Sequence, residues 1–273
     1  MTGLHADAER WLEEHGVVTS AAGAEAKPSG RALVVVLGDL VLRWYGVGTE
    51  GPENPDAIAR EVAALTTVAG SGLPVPRLVA WTDAPPAIVM TRLAGEHRLD
   101  ASGSIAVLDV LDAIHEVPVG PSAEWTYRGY HEGVEMRRPA WWREARVWDR
   151  AFEIAARGPT IGVEPVFIHR DFHPGNLLWA GDAVSGVIDW SDACVGPAAF
   201  DLAHYRVNVA TLVGPEVADV AFPGDPTWDI EAALGYLDVD ALDDWLGPWP
   251  EVPPQVARER VEAFLGRAVA GLA

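Results

Sequence analysis

The chain has 273 residues, of which 49% are hydrophobic and 22% are charged, close to the average of globular proteins. This composition excludes a disordered or a collagen-like chain. With 20 basic and 40 acidic residues the formal net charge is −20, which repels phosphate backbones and anionic lipid. We therefore predict no nucleic-acid and no membrane partner. The negative charge has two remaining explanations, solubility or attraction of a cationic ligand.

The longest apolar run and the single cysteine argue against a membrane-spanning protein and against a protein held together by disulfides. Residues 31–37 form a run far shorter than the roughly 20 residues that a membrane-spanning helix needs. Residues 1–14 are polar and predict an amphipathic helix instead of a signal peptide. Cys194 is the only cysteine in the sequence, which excludes an internal disulfide and a cysteine-based metal cluster. These features together predict a cytoplasmic protein.

The first third of the sequence predicts a small antiparallel sheet with one helix. Leu33–Leu37 and residues 40–45 are apolar, partly β-branched runs around a glycine-containing turn, the pattern of a hairpin. Apolar residues at helical spacing predict a helix that begins near Asp56. Two further strands are predicted at residues 77–81 and 87–91.

From about Leu99 the pattern changes to helices. Residues 105–115 have apolar side chains on one helical face, and Pro139 is predicted to begin another helix. Short strands are predicted at residues 166–169 and 186–190, and the remainder of the chain is predicted to be mainly helical.

The order of these elements predicts an α+β fold with two lobes and a cleft between them. Residues 1–94 would form a small N-terminal lobe of antiparallel sheet plus helix. Residues 95–273 would form a larger, mainly helical C-terminal lobe, with the connection near residues 92–95.

The residues with the most chemical content lie in the segment His-Arg-Asp-Phe-His-Pro-Gly-Asn at positions 169–176. Asp171 and Asn176 are five positions apart, on a segment that Pro-Gly interrupts, which predicts a loop. Asp189 follows 13 positions after Asn176, and a hairpin of that length can return it to the same place. Oxygen atoms of such side chains are the ligands that Mg²⁺ prefers, and Asp171 is left to accept a proton from a hydroxyl group. Phosphoryl transfer requires this division of roles.

His-Arg-Asp followed five positions after the Asp by Asn is also the pattern of the protein-kinase catalytic loop. The alternative is a loop of polar turn residues in which Asp171 and Asn176 bond to their own backbone. The Ile-Asp-Trp segment around Asp189 favours the catalytic interpretation.

Together, His-Arg-Asp-Phe-His-Pro-Gly-Asn-Leu-Leu and Ile-Asp-Trp resemble the signature of the aminoglycoside phosphotransferase and choline kinase family, relatives of the protein kinases. The resemblance extends over nearly the whole chain, because supporting segments occur in the order typical of the family. Those segments lie at residues 40–46, 59–65, 88–95, 108–116 and 200–203. The resemblance implies a protein kinase-like two-lobed fold, in which residues 1–94 bind the nucleotide and residues 95–273 carry the catalytic loop and the acceptor site.

The same resemblance implies a role for each residue of the loop. Asp171 would be the catalytic base, and Asn176 and Asp189 would bind Mg²⁺. A catalytic histidine would compete with Asp171 for the same proton, so the neighbouring histidines are expected to have structural roles. Supporting roles are therefore predicted at four positions: His169, Arg170, His173 and Asp201.

Arg43 stands where the family usually has a lysine, although some branches of the family have arginine there. The resemblance implies that Arg43 binds nucleotide phosphates and that Glu61 is its ion-pair partner. Because arginine is always protonated and presents a planar fork of donors, it retains the charge that this position requires. The alternative is an exposed arginine at the edge of a strand.

The remaining nucleotide contacts are predicted to be backbone contacts. Ser29 and Gly30 would cover the phosphates of ATP or GTP, although ordinary turn formation explains that segment equally well. By the resemblance, Thr91 and Leu93 would bond the base through their backbone groups.

Two groups of residues could select the acceptor. The first comprises acidic residues of the last quarter, which would bind a cationic molecule or would be merely solvated: Glu216, Asp219, Asp225, Asp229, Glu231, Asp238, Asp240, Asp243 and Asp244. The second comprises aromatic residues that would form a cation–π wall: Trp125, Tyr127, Tyr130, Trp141, Trp142 and Trp148. The helical spacing of Trp141 and Trp148 favours a place in the core for these two. Asp182 and Asp192 are expected to be solvated turn residues.

The sequence thus predicts an ATP- or GTP-dependent and Mg²⁺-dependent kinase that phosphorylates a hydroxyl group of a small, cationic acceptor. An antibiotic is the leading acceptor, with resistance by modification as the consequence. One alternative is a metabolic kinase of choline, an amino sugar or another small alcohol. An alternative of another class is a nucleotide-binding regulatory protein without transfer activity, against which the intact Asp171, Asn176 and Asp189 argue.

Overall fold

The computed structural model of the chain describes residues 6–17, 25–28, 32–45, 56–99, 103–129, 132, 137–158, 164–236, 242, 246 and 249–272. A five-stranded antiparallel sheet in the first third precedes a mainly helical part, which confirms the predicted α+β class. Over the ranges just given, no helix combines the length and the apolar character that crossing a membrane requires.

The sheet consists of β1 (Glu25–Pro28), β2 (Leu33–Leu37), β3 (Leu40–Trp44), β4 (Leu78–Asp83) and β5 (Pro86–Thr91), in the order β1-β2-β3-β5-β4. All neighbouring strands are antiparallel. β2 and β3 form the predicted hairpin around Gly38. The φ of Gly38 is +64°, and glycine adopts such a conformation at little cost because it has no Cβ atom.

The other elements lie mainly after the sheet. Eight helices fall within the described residues: α1 (Ala6–Glu14), α2 (Ala57–Val68), α3 (Ser104–His115), α4 (Ala145–Ala155), α5 (Ala198–Leu212), α6 (Pro215–Ala221), α7 (Pro226–Ala233) and α8 (Pro254–Ala270). Four short strands make two antiparallel pairs, β6 (Val166–Ile168) with β9 (Cys194–Gly196) and β7 (Leu177–Ala180) with β8 (Ala183–Val187).

Helices α1 and α2 pack on opposite faces of the sheet because side chains alternate along β3. Leu42 and Trp44 point to one face and pack with Trp11 of α1. Ile58 of α2 belongs to a second apolar cluster on the other face. Arg43 lies between Leu42 and Trp44 and therefore points towards α2.

The predicted helix at Pro139 begins later, at Ala145. The preceding amides of Arg143 and Glu144 donate hydrogen bonds to the Glu262 carboxylate of α8, at 2.5 and 2.7 Å. That carboxylate holds the segment as a turn, and it comes from the other end of the chain. The predicted helix is therefore present, but the prediction from Pro139 placed its start too early.

After β5 the chain passes to the helical part at Gly95. Its φ is +145°, and a Cβ atom there would lie 2.4 Å from the Ser185 Oγ and 2.9 Å from the Leu178 Cβ. Glu96 then exchanges two backbone hydrogen bonds with Trp179 of β7, at 3.0 and 2.9 Å. The connection is thus held against the β7–β8 hairpin, and only glycine fits at its closest point.

We expect Gly95→Ala to lower the free energy of unfolding by about 2 kcal/mol or more, because it adds both a clash and backbone strain. The control is Gly266→Ala in α8, where a Cβ atom meets nothing within 4 Å. That control should raise the free energy of unfolding by about 0.5–1 kcal/mol, since alanine favours a helix over glycine. Chemical denaturation of both variants measures the difference, and equal effects would contradict the packing described for Gly95.

Candidate active site

The loop between β6 and β7 is fixed at its start by Asp201 of α5. The buried Asp201 accepts the amide of His169 through Oδ2 at 2.9 Å and the amide of Arg170 through Oδ1 at 2.7 Å. Its Oδ2 also lies 3.1 Å from Nε2 of His115 in α3. These bonds place the predicted supporting residue Asp201 directly beneath the loop.

Two non-glycine residues near this loop have a left-handed backbone, Arg170 with a φ of +68° and Asp189 with a φ of +64°. Such conformations cost free energy and persist only where the surroundings impose them. The fully buried His169 contributes to this constraint, because its Nε2 donates to the Ile188 carbonyl at 3.0 Å. Burial lowers the pKa of His169, so the ring is neutral near pH 7.

Asp171 is surrounded by hydrogen-bonding groups. The Asn176 Nδ2 donates to its Oδ2 at 3.0 Å and to its backbone carbonyl at 2.8 Å. His204 of α5 places Nε2 3.2 Å from Oδ1, and His173 places Nε2 3.6 Å from Oδ2. Burial by itself would raise the pKa of this carboxyl group, but His173 and His204 outweigh it and hold the pKa of Asp171 well below its usual range. Asp171 is therefore a carboxylate at neutral pH, and 32% of its side chain remains exposed.

The β7–β8 hairpin returns Asp189 to Asn176. The strands pair antiparallel, and just beyond them the Ile188 amide donates to the Asn176 carbonyl at 3.0 Å. Asp189 is the next residue and leaves the hairpin beside Asn176. The structure thus brings together Asp171, Asn176 and Asp189, which the sequence placed 18 positions apart at most.

Arg43 of β3 joins the sheet to the end of this hairpin. Its Nη1 donates to both carboxylate oxygens of Glu61 in α2, at 2.8 and 3.0 Å. The same nitrogen donates to Oδ1 of Asp189 at 2.8 Å. Arg43 is therefore an internal residue of the site and not an exposed arginine at the edge of a strand, since 18% of its side chain is accessible.

Burial and mutual attraction shift the pKa values of Arg43, Glu61 and Asp189, one positive and two negative groups in contact. Burial raises the pKa of Glu61 to about 7, against the attraction of Arg43. Burial also disfavours the charge of Asp189, but Arg43 outweighs it and lowers the pKa of Asp189. Burial opposes the charge of Arg43 as well, and the two carboxylates nevertheless raise the pKa of Arg43 well above its ordinary value. Of the two carboxyl groups, Glu61 is therefore the one whose ionised form the site disfavours.

The backbone groups of Thr91 and Leu93, which were predicted to contact the nucleotide base, differ in whether they are already hydrogen-bonded. The Thr91 amide donates to the Arg77 carbonyl at 2.9 Å and is not available to a base. Among the described residues, no group bonds to the amide or the carbonyl of Leu93, so both are available. Ser29 and Gly30 lie outside the described residues.

The free oxygen atoms beside the hairpin suit a hard cation. Asn176 uses its amide nitrogen on Asp171, and Asp189 uses Oδ1 on Arg43 and on the Ser191 hydroxyl at 3.1 Å. Within the described ranges the Asn176 Oδ1 and the Asp189 Oδ2 have no hydrogen-bond partner, and Mg²⁺ prefers such oxygen ligands. In the part of the chain that the structure describes, no three His, Cys, Asp or Glu side chains are grouped to hold a metal ion. A cation here would take its other ligands from water and substrate, as Mg²⁺ commonly does.

Two side chains next to the site, His204 and Asp192, were not predicted correctly from the sequence. His204, which contacts Asp171, lies three residues after Asp201 on α5, and this helical spacing was the available indication. Asp192 was expected to be a solvated turn residue, but it pairs with Arg170 at 2.9 Å. Asp182, by contrast, is fully exposed as expected.

Several acidic residues of the last quarter are bonded within the helical part. The buried Arg206 bonds Asp229 through Nε and Asp219 through Nη2, each at 3.0 Å. The buried Glu231 accepts the Tyr127 hydroxyl at 3.1 Å. These bonds show that Asp229 and Glu231 are not solvated surface residues. Four others lie outside the described residues: Asp238, Asp240, Asp243 and Asp244.

The tryptophans at residues 141–148 belong mainly to the core. Trp142 and Trp148 are buried, and their ring centroids are 4.7 Å apart. Trp141 packs against Trp142 at 5.6 Å and lies 5.9 Å from the Arg258 guanidinium. Trp142 and Trp148 are therefore not available as an aromatic wall for an acceptor.

A sequence profile of the phosphotransferase enzyme family matches residues 29–248. The chain belongs to this family. The match confirms the predicted family resemblance and the predicted class of enzyme, a phosphotransferase. No curated protein sequence matches this phosphotransferase significantly.

Solved structures of phosphotransferases resemble the chain in fold. A thermostable variant of aminoglycoside phosphotransferase APH(4)-Ia with AMP-PNP and hygromycin B is 19% identical, with a TM-score of 0.61 and coverage of 98% of this chain and 100% of that chain. The streptomycin–ATP complex of APH(2")-IIa is 13% identical, with a TM-score of 0.60 and coverage of 89% and 88%. Macrolide 2'-phosphotransferase MphH from Brachybacterium faecium is 19% identical, with a TM-score of 0.59 and coverage of 94% and 96%. These likenesses confirm the predicted kinase-like fold of this family member.

The raised pKa of Glu61 predicts a pH dependence of stability. Between about pH 4.5 and 7 the folded protein retains a proton on Glu61 that the unfolded chain has released. Folding takes up a proton in that window, so the contribution of Glu61 to stability is lost as pH rises, by at most about 1.4 kcal/mol per pH unit. We expect the free energy of unfolding of the wild type, minus that of Glu61→Gln, to decrease between pH 4.5 and 7.

Denaturant titrations at several pH values measure this difference. Glu9→Gln, at an exposed position of α1, is the matched control for the replacement of a glutamate by glutamine. A flat or rising difference for Glu61→Gln would contradict the pKa that the structure indicates.

Proposed function

We propose that this phosphotransferase uses ATP or GTP together with Mg²⁺ to phosphorylate a hydroxyl group of a small, cationic molecule, foremost an antibiotic. The observation that carries the proposal is the convergence of Asp171, Asn176 and Asp189, with Arg43 bonded to Asp189. Phosphoryl transfer depends mainly on positioning and on compensation of charge, and this cluster supplies groups for both.

Asp171 is the proposed acceptor of the hydroxyl proton. Its carboxylate is ionised, partly exposed and held in place by Asn176 and His204, so it can orient a hydroxyl group towards a phosphoryl group. A carboxylate of low pKa is a weak base, but weak basicity is sufficient where the proton leaves late in a loose transition state.

Asn176 and Asp189 are the proposed ligands of Mg²⁺. Their free oxygen atoms fit this ion, and the carboxylates around them exceed the positive charge that Arg43 supplies. Held by these two side chains, Mg²⁺ would supply positive charge to compensate the nucleotide phosphates. The left-handed backbone of Asp189 fixes the direction of its side chain for this role.

Arg43 is the proposed phosphate-binding cation. All its hydrogen bonds use Nη1, so within the described part of the chain Nε and Nη2 have no hydrogen-bond partner. The Nη1 atom thus forms the ion pair with Glu61 that a lysine ammonium group would form. The Nε and Nη2 atoms are left to donate hydrogen bonds to phosphate oxygens. The available backbone groups of Leu93 support its contact with the base, and we propose residues 1–94 as the nucleotide-binding lobe.

Residues 95–273 would then carry the catalytic loop and the acceptor site. The net charge of −20 favours a cationic acceptor. The complexes of similar structures with hygromycin B and with streptomycin support an antibiotic acceptor. Choline, amino sugars and other small alcohols would use the same reaction.

A first experiment measures release of nucleoside diphosphate with Mg²⁺ and ATP or GTP. The acceptor panel contains aminoglycosides, basic peptide antibiotics, macrolides, choline and amino sugars. Asp171→Asn should lower kcat by about 10²–10⁴-fold, the usual contribution of a general base. Asp109→Asn, at an exposed position of α3, is the control and should keep the wild-type rate. Nucleotide binding without turnover of any acceptor would instead identify a regulatory nucleotide-binding protein.

A second experiment concerns Arg43. Removing the charge in Arg43→Met should raise the KM for the nucleotide about 10–100-fold, since a charge-assisted hydrogen bond contributes about 1.5–3 kcal/mol. Arg43→Lys keeps the charge near Glu61 and should show a smaller rise. Steady-state kinetics over a range of nucleotide concentrations separate the two, after thermal unfolding has shown that both variants fold. Nucleotide kinetics unchanged in Arg43→Met would exclude the proposed phosphate contact.

A further inference from the structure

Asp192 forms an ion-pair bridge next to the site. Its Oδ1 accepts a hydrogen bond from Nη1 of Arg170 at 2.9 Å and lies 3.7 Å from Nη1 of Arg60. Arg170 belongs to the loop after β6, and Arg60 belongs to α2. One carboxylate thus connects a helix that packs on the sheet with the loop of the helical part.

Each member of this bridge is close in sequence to a residue of the proposed active site. Arg60 directly precedes Glu61, and Arg170 directly precedes Asp171. Asp192 itself follows Asp189 by three positions. Displacement of any member of the bridge would therefore displace the ion-pair partner of Arg43, the proposed catalytic carboxylate or a proposed metal ligand.

Each of the two arginines is largely buried and has a further contact besides Asp192. The Arg60 side chain is 12% exposed, and its guanidinium lies 5.9 Å from the centroid of the Trp125 ring. The Arg170 side chain is 13% exposed, and its Nη2 donates to the Arg128 carbonyl at 3.1 Å. The left-handed backbone of Arg170 further restricts the direction of its side chain.

The position of Asp192 is electrostatically unfavourable in one respect. Burial, together with the nearby carboxylates of Asp171 and Asp189, raises the pKa of Asp192 in spite of Arg170 and Arg60. The bridge also borders a cavity of about 430 Å³, so ions in the solvent reach it.

We propose that Asp192 is a positioning residue that fixes α2 against the catalytic loop through Arg60 and Arg170. The bridge keeps the pair of Arg43 and Glu61 in register with Asp171, so that nucleotide phosphates and the acceptor hydroxyl meet. The connection of α2 with the catalytic loop follows from the ion pairs alone. The expected effect of this connection on catalysis rests on the proposed function.

The connection is tested by hydrogen–deuterium exchange, which needs neither nucleotide nor acceptor. In Asp192→Ala the amides of α2 and those of residues 169–176 should both exchange about threefold faster or more, because the bridge no longer restrains either element. Asp182→Ala is the matched control, since this fully exposed aspartate also lies near an arginine, 3.6 Å from Arg98. Unchanged exchange in α2, or an increase confined to residues 190–196, would overturn the proposal.

The catalytic consequence is tested with magnesium and ATP, measured as hydrolysis without an acceptor and as transfer to an active member of the panel. Asp192→Ala should lower kcat about tenfold or more through loss of alignment, and Asp192→Glu should restore most of it. Arg60→Met should have a comparable effect, and the double variant with Asp192→Ala should be no worse than either single variant. Additive effects of the two substitutions would overturn the bridge as a unit.

The two sets of measurements separate failure of this inference from failure of the proposed function. Faster exchange at both elements in a chain that turns over no nucleotide would support the bridge and reject the kinase activity. Full activity of the wild type together with an unchanged kcat in Asp192→Ala would reject the bridge and keep the kinase activity. If Asp192→Ala does not fold, the exchange and kinetics of Arg60→Met decide the question.

Discussion

The contact of Arg43 with both Glu61 and Asp189 is the interaction on which the arrangement of the site depends. It joins β3, α2 and the end of the β7–β8 hairpin, which are separated by up to 146 positions in the chain. One guanidinium cannot neutralise two carboxylates, and burial makes the remaining negative charge costly. The protein tolerates this cost at the place where a cation and phosphates are proposed to bind. An additional cation would complete the charge balance that the side chains leave incomplete.

Helix α5 provides the second constraint, because it holds both the backbone and the side chain of the loop. Asp201 binds the amides at the start of the loop, and His204, on the same face of the helix, contacts the Asp171 carboxylate. The helix is buried over nearly its whole length, so it is a rigid support. The loop therefore takes its position from a buried helix on one side and from the Asp192 bridge on the other.

Short-range patterns in the sequence predicted the elements that short-range interactions determine. Alternation along β3 predicts that Arg43 lies in a strand, and the spacing from Asn176 to Asp189 predicts a hairpin; the structure contains both. Features that depend on distant residues were not predictable in this way. Glu262 delays the start of α4, and Arg60 turns Asp192 from a solvated residue into a bridging one. Glu262 and Arg60 each lie more than 100 positions from the residues they contact, whereas the shorter ion pair of Asp192, with Arg170, spans only 22 positions.

Contacts between distant residues also decide which of the acidic residues could attract a cationic acceptor. Net charge counts carboxylates but does not show which of them are already neutralised. Arg206 neutralises Asp229 in the helical core, so that carboxylate adds little attraction for a cation. Around Asp171, by contrast, the carboxylates exceed the guanidinium groups that contact them, and about a third of the Asp171 side chain is exposed, 32%. Local imbalance of charge, more than the total of −20, is therefore what would attract the proposed cationic acceptor to the proposed site of transfer.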